Sequence, residues 1–336
     1  MATIMDVAKV AGVSFKTVSR VVNGQQSVGA DIRARVEDAI RELGYKPTLA
    51  ARQLAGQRSF IIGLIVPRLG SSYISRMMIA LASASRARGY NLITEPLDHD
   101  RHNHSAHGTV SFSARPDSVI MTPPFSNDAR LMEHFASEGI PLVRIAAVTE
   151  GYGIPIRVEE EGVSIAMMRH LMTLGHTRIG LIAPPLPVRA SEARLDGYRT
   201  ALEQAGIAID PDLIVRGDFS FASGVQAATA MLALPRRPTA IFATGDEMAA
   251  GVLAQAVKLG YRVPEDLAVA GFDDSPLARM VFPPLTTVHQ PVVEIAQAAV
   301  EAAVTQSPCD TTFHYELRVR GSTTGDRQHC LEPYQF

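Results

Sequence analysis

From Phe60 onward the chain alternates short, almost unbroken apolar runs with stretches of helical periodicity. The runs are FIIGLIV, NLIT, SVIM, PLVRIA, RIGLIA, TAIFA and LAVAGF. A strand that is apolar on both faces has no wet side. Such runs therefore belong to parallel sheets covered by helices above and below. Residues 59–336 hold too many candidate strands for one sheet, so the expected core is α/β with two doubly wound lobes. The LTTV run, the helix after Pro291 and the FHYELRVRG strand are expected to lead back to the first lobe. This puts crossings near Arg157, Gln290 and Arg318. The first lobe would span 59–157 and 291–317, the second 158–289 and 318–330. Sheets of this kind bind ligands at the carboxyl ends of their strands, here in the cleft between the lobes.

The first 46 residues read differently, as three short helices. Thr3 can cap a helix beginning at Ile4, with Asp6 in its first turn where a negative charge suits the dipole. Gly12 breaks that helix, and Ser14 caps a second, FKTVSRVVN, that ends at Asn23-Gly24. A third runs from Ala30 to Leu43, closed by Gly44, and Pro47 forbids its continuation. Residues 47–58 form a short link that is helix-compatible but too short to be helical alone in water.

Helix, tight turn at Gly12, helix is helix-turn-helix spacing. The second helix turns Phe15, Lys16 and Arg20 outward, beside the short hydrogen bonders Ser14, Thr17, Ser19 and Asn23. A major groove admits one such helix, and an arginine can grip guanine in a fork. Charge agrees: residues 1–58 carry nine Lys and Arg against five Asp and Glu, while the rest carry 23 against 29. A basic head on an acidic body assigns a polyanion to the head. From these residues alone, a merely solvated basic face stays open as the other reading.

Several function classes are excluded. There is no G-x-S-x-G elbow, no phosphate loop and no H-E-x-x-H pair, so nothing supports an enzyme. Two cysteines make neither a disulfide framework nor a four-thiolate zinc site. No apolar run reaches the roughly 20 residues of a membrane span, and the N-terminus is no secretory signal. A soluble, cytoplasmic protein without cofactor is expected. The tract DHDRHNHSAH holds His99, His102, His104 and His107, but no helix or strand orders them. A solvated loop is the expected reading, with no metal.

The stretches TIMDVAKVAGVSFKTVSRVVNG and RVEDAIRELGYKPTLAARQLAG resemble the LacI/GalR family of transcription regulators. The resemblance continues through FIIGLIVP, LMTLGHTRIGLI, RLDGYRTAL, TGDEMAAGVL, GFDD and PLTTVHQP, in family order over nearly the whole chain. It implies a helix-turn-helix domain at 1–46, a hinge helix at 47–58 and a core at 59–336 that binds effector and dimerises. Phe15, Lys16 and Arg20 match base-reading positions; Thr3, Ser14, Thr17, Ser19 and Asn23 match backbone contacts. Ala50, Ala51 and Leu54 match hinge residues in the minor groove, Leu54 as the wedge that kinks the duplex; without that match it is a plain linker residue. Gly29 and Ile32 depart from the usual Ser and Thr and lose phosphate contacts.

The body resembles type I periplasmic sugar-binding proteins. The resemblance implies effector contacts at Tyr73, Arg194, Phe219, Asp246, Asp273 and Gln290. Asp and Arg suit polyols because each can engage two vicinal hydroxyls. Plainer readings stand beside these. Arg194 and Asp273 could form a salt bridge between lobes, Tyr73 and Phe219 could be core aromatics, and Asp246 could cap the helix beginning at Glu247. Gly245 replaces a frequent Asn, and VEEEG departs from the family pattern, so Glu159, Glu160 and Glu161 receive no ligand role. The expected protein is a homodimeric repressor that binds operator double-stranded DNA and is released by a small carbohydrate. A corepressor-dependent or nucleobase-sensing regulator is the alternative, and a sugar-binding protein without DNA function the remote one. The C-terminal sequence has no leucine heptads, so no tetramerising coiled coil is expected.

Overall fold

The computed structural model describes residues 2–22, 28–45, 58–68, 71–98, 110–184 and 189–325. The head consists of α1 (Ile4–Ala11), α2 (Phe15–Val22) and α3 (Ala30–Leu43). Thr3 and Asp6 cap α1 reciprocally: Asp6 N donates to Thr3 Oγ1 at 3.3 Å, and Thr3 N donates to Asp6 Oδ2 at 2.8 Å. Gly12 ends α1 at φ 63°, in the left-handed region where a Cβ is strained. A Cβ there would also lie 2.8 Å from Arg35 Nη2, which donates to Ala11 O at 2.5 Å. Arg35 thus ties α3 to the turn that sets the α1–α2 angle. Val7, Val18 and Val36 are fully buried, one from each helix. Each contributes about 1.5–3 kcal/mol of apolar burial.

The first lobe is built on a six-stranded parallel sheet. Its strands are β1 (Ile61–Pro67), β2 (Asn91–Leu97), β3 (Ser118–Met121), β4 (Leu142–Ile145), β5 (Ile154–Glu159) and β11 (Thr312–His314). Their order is β11-β5-β4-β3-β1-β2. One face is covered by α4 (Ser72–Ala87) and α11 (Val292–Thr305), and α5 (Ala129–Ser137) packs on the other. The second lobe has four parallel strands in the order β7-β6-β8-β9: β6 (Ile179–Ala183), β7 (Ile214–Arg216), β8 (Ala240–Ala243) and β9 (Ala268–Ala270). On one face lie α6 (Glu161–Thr173) and α7 (Arg189–Gln204), on the other α8 (Phe221–Leu232) and α9 (Asp246–Lys258). The α8–α9 pair packs backbone to backbone. A Cβ on Gly224 would lie 2.1 Å from Met248 O.

Corresponding threonines mark the two lobes as variants of one plan. Thr122, after β3, donates from N and Oγ1 to Ile65 O at 3.3 and 3.1 Å; Thr244, after β8, does the same to Ile182 O at 3.0 and 2.8 Å. Each stands where the strand order reverses, at the carboxyl end of its sheet.

Three segments join the lobes. The first follows β5, a strand that pairs with β4 and holds the chain in the first sheet through Glu159. The second follows β10 (Thr287–His289) and leads to α11. The third lies at Tyr315, between β11 and β12 (Glu316–Arg318); α10 (Pro276–Met280) precedes β10, and α12 (Gly321–Thr324) closes the described chain on β9. Two sequence expectations are corrected here. The LTTV run does not join the first sheet: β10 pairs antiparallel with β12, and Thr286 and His289 bridge to Ala270 and Asp273. FHYELRVRG is two strands, because Tyr315 leaves the first sheet and the chain turns into this hinge ribbon. Among the described residues no helix is long and apolar enough to cross a membrane. Among them too, no group of three His, Cys, Asp or Glu is placed to hold a metal ion; the His99–His107 tract lies outside the described residues.

Candidate nucleic-acid interface and ligand cleft

Helical spacing in α2 sends Val18 and Val21 into the head and leaves Phe15, Lys16 and Arg20 exposed on the opposite face. Phe15 is 50% exposed, a large apolar side chain held in solvent at the helix start. Ser14 Oγ accepts from Thr17 N at 3.2 Å and lies 3.0 Å from Thr17 Oγ1. This organises the first turn and leaves each hydroxyl with bonding capacity. Ser19 is half-buried beside Arg20. Thr3 is more committed: its N–H and its hydroxyl both donate to Asp6 Oδ2 at 2.8 Å. Gly29 caps α3 with no side-chain bond, and Ile32 is 37% exposed, so the two departures noted in the sequence leave that helix end without its own hydroxyls. Asn23, Ala50, Ala51 and Leu54 lie outside the described residues.

In the cleft Arg194 reaches from α7 to the end of β8, where Nη1 donates to Thr244 O at 2.7 Å. Its Nε and Nη2 donate to Glu160 Oε2 and Oε1 at 3.0 and 3.1 Å. The guanidinium lies 3.7 Å over the Phe272 ring. Burial works against its charge, but Glu160 and Asp273 more than offset this and hold it above the usual range. The partner that directly binds Arg194 is thus Glu160, a residue the sequence analysis left without a role, rather than Asp273.

Asp273 and Asp274 follow Gly271-Phe272 with φ of 115° and 46°, left-handed backbone at non-glycine residues. Such strain persists where surrounding bonds determine it. Asp273 N donates to Val288 O at 2.9 Å, and Asp273 Oδ1 accepts from Gln290 Nε2 at 2.5 Å. Burial pushes the Asp273 carboxyl well above its usual range, with the charges of Asp246 and Glu247 adding to the effect and Arg194 opposing it. Gln290 Oε1 is buried with no hydrogen-bond partner. Asp274 is a hinge anchor. Burial alone would raise its carboxyl, but the His289 hydrogen bond at 3.0 Å and Arg320 at 2.6 Å bring it well below the usual range.

Asp246 is fully buried at the start of α9 and does not cap it, since the N-cap is Gly245. Its Oδ1 accepts from Thr287 Oγ1 at 2.6 Å and its Oδ2 from Ser275 N at 2.7 Å. Burial pushes its carboxyl up to about 7, against those two bonds. Phe219 is half-buried at φ 65° and packs beside Gly245, whose absent side chain would meet Phe219 Cδ1 at 3.3 Å. The space an Asn would fill is therefore taken up by the ring. Tyr73, on α4 of the first lobe, faces this wall; burial raises its phenol strongly, with Glu160 and Asp273 adding to the effect.

The lobes also touch beside the cleft. Arg76, one turn after Ser72, donates from Nη1 to Asp273 O at 2.8 Å and Asp274 O at 3.2 Å. Glu247 Oε1 accepts from Ser72 N at 2.8 Å, so a carboxylate of the second lobe caps a helix of the first.

Residues 3–48 match the model of bacterial regulatory proteins of the lacI family, and residues 168–323 match the periplasmic binding protein-like domain. The Ribose operon repressor of Escherichia coli strain K12 is 33% identical over 307 residues, covering 90% of this chain and 92% of that protein. The chain belongs to the LacI family. Among solved structures, the Lac repressor dimer bound to operator and the anti-inducer ONPF superposes with a TM-score of 0.76 at 30% identity. That match covers 96% of this chain and 99% of that one. A CelR–cellobiose complex matches with a TM-score of 0.70 at 30% identity, over 96% of this chain and all of that one.

The structure thus brings Tyr73, Arg194, Phe219, Asp273 and Gln290 around one cleft and places Asp246 behind its wall. Sequence reasoning missed Glu160, Arg76 and Glu247. Glu160 carried a signal, three consecutive acids beside a lobe crossing, but its partner lies 34 residues away.

Proposed function

We propose that this LacI-family regulator represses transcription as a homodimer on a pseudo-palindromic operator and is released when a neutral carbohydrate fills the cleft. One observation carries the reading: a single chain joins an exposed Phe15–Lys16–Arg20 helix face to a two-lobed polar cleft with an unsatisfied acceptor, Gln290 Oε1. Phe15, Lys16 and Arg20 read base edges; Ser14, Thr17, Ser19 and Asn23 hold phosphates. Thr3 serves the interface by fixing the start of α1. Ala50, Ala51 and Leu54 take the minor-groove role implied by the family.

In the cleft, Asp273, Gln290 and Tyr73 exchange hydrogen bonds with hydroxyls, Arg194 supplies the remaining donors, and Phe219 gives an apolar platform. Asp246 positions the Ser275–Thr287 wall instead of touching ligand. Carbohydrate is supported by this inventory: the two cations of the cleft are already engaged, Arg194 by Glu160 and Thr244 O and Arg76 by the carbonyls of Asp273 and Asp274, and neither stands opposite a vacant anion site that would favour phosphorylated or carboxylate effectors. The names of the ribose repressor and the cellobiose complex point the same way. A ligand bound to Asp273 pulls on the loop whose carbonyls hold Arg76, so occupancy changes how the first lobe sits on the second. The size of the switch is the ligand's differential affinity for the two states, about 1–3 kcal/mol of coupling. A second copy as partner is supported by exposed apolar side chains on both lobes, Ile79 and Val293 on one, Phe221, Met280 and Phe282 on the other. A protein that acts on operator DNA works in the cytoplasm.

The test is selection of genomic fragments by the purified full chain. An enriched sequence with two-fold pseudo-symmetry, lost in Arg20→Ala, is the expected result. Equal recovery of all fragments would overturn the reading.

A further inference from the structure

We infer that Tyr315, on the third crossing between the lobes, is an effector-contacting residue that sets which carbohydrates the cleft accepts. The inference rests on the effector reading above. Tyr315 leaves the first sheet after His314 and precedes Glu316 of the hinge ribbon, so its backbone belongs to neither lobe's sheet. It is 8% exposed, and its ring packs edge-on against Phe272, with centroids 6.0 Å apart at 69°. Phe272 in turn lies under the Arg194 guanidinium. Tyr315 and Arg194 thus both contact the Phe272 ring, Tyr315 edge-on and Arg194 over its face.

A buried tyrosine hydroxyl ordinarily finds a hydrogen-bond partner. Tyr315 Oη has none among the described residues, nor is it one of the fully enclosed orphan atoms. The groups whose fields act on this phenol are Glu160, Tyr73, Arg194 and Asp273, all residues of the cleft, and burial with the Glu160 charge holds it well above its usual range. Glu160 and Arg194 are already bonded to each other, so the phenol is left for a molecule in the cleft. The ring adds bulk beside Phe272, so removing it changes the space left for an effector. Because the residue sits in a crossing segment between the lobes, a bond to it engages a segment that must rotate when the lobes move.

The test is titration calorimetry of the full chain and of Tyr315→Phe and Tyr315→Ala against D-ribose, D-glucose, D-galactose and cellobiose. Tyr315→Phe keeps the ring on Phe272 and removes only the hydroxyl. It is expected to weaken the sugars that bind by roughly 3–10-fold with an unchanged Tm. Tyr315→Ala is expected to move the preference toward the larger sugar. If the parent chain binds a sugar and Tyr315→Phe binds it equally well, the inference is overturned while the carbohydrate reading stands. If the parent chain binds none of the four, the carbohydrate reading falls and the inference falls with it. Should Tyr315→Ala not fold, the Tyr315→Phe comparison decides.

Discussion

Arg194 grips Glu160 with two hydrogen bonds, Nε to Oε2 at 3.0 Å and Nη2 to Oε1 at 3.1 Å, with both side chains almost wholly removed from solvent. The pair joins α7 of the second lobe to the segment by which the chain enters that lobe. A planar, bidentate arrangement compensates desolvation best, and Thr244 O satisfies a further donor.

Truncating one partner leaves the other charge buried and unpaired. Arg194→Ala should lower stability by about 3–5 kcal/mol, and replacing Arg194 and Glu160 together by Met and Leu should cost clearly less. Urea unfolding of the single and double variants measures this. Equal losses in both would contradict the account of the pair.

The buried carboxyl of Asp246 has a sign that can be worked out. Its pKa is raised to about 7 from 3.8 by burial. The folded state therefore binds the proton more tightly than the unfolded one. Stability from this group is present at low pH and declines as pH rises between those two values. Asp273 is shifted in the same direction, again by burial first. Asp274 acts oppositely: its lowered pKa adds stability above 3.8 that is lost as pH falls further. Asp246→Asn should flatten the decline in Tm from about pH 5 to about pH 7. An unchanged slope would show that the carboxyl titrates elsewhere.

On the head, Arg20→Ala should remove about 1–3 kcal/mol of discrimination between operator and a variant base pair. Non-specific affinity should fall far less. Competition gel shifts measure the ratio; full discrimination in the variant would remove Arg20 from base reading.

Gly224 lets α8 and α9 approach backbone to backbone, since a Cβ there would lie 2.1 Å from Met248 O. Gly224→Ala should lower Tm, with about 1–3 kcal/mol lost to overpacking between α8 and α9. A variant as stable as the parent would mean that the helices part without cost.

The head was legible because its signals are local. Thr3, Gly12, Ser14 and Gly44 each act on their own helix end, and the structure places every boundary within a residue or two of those signals. The alternating core was legible for the same reason, since parallel strands buried on both faces lack polar positions. Short elements were not. β5 contains Pro155 and the exposed Arg157, which hide its register, and β10 and β12 have three residues each and are held by the Thr286–Thr323–Arg320 network. The cleft residues Asp273 and Gln290 were reached through family resemblance. Glu160, Arg76 and Glu247 were not, because each finds its partner only when distant segments or two lobes meet. Ordinary surface charge and such a contact look alike in sequence.

The central claim is that occupancy of the cleft decides whether the head stays on DNA. Fluorescence anisotropy of a labelled, selected operator fragment tests it directly, with a sugar that calorimetry has shown to bind the full chain. The account predicts operator affinity reduced by about 5–150-fold in the presence of sugar, and no such change in Asp273→Ala. A sugar that saturates the cleft and leaves operator affinity unchanged would contradict it.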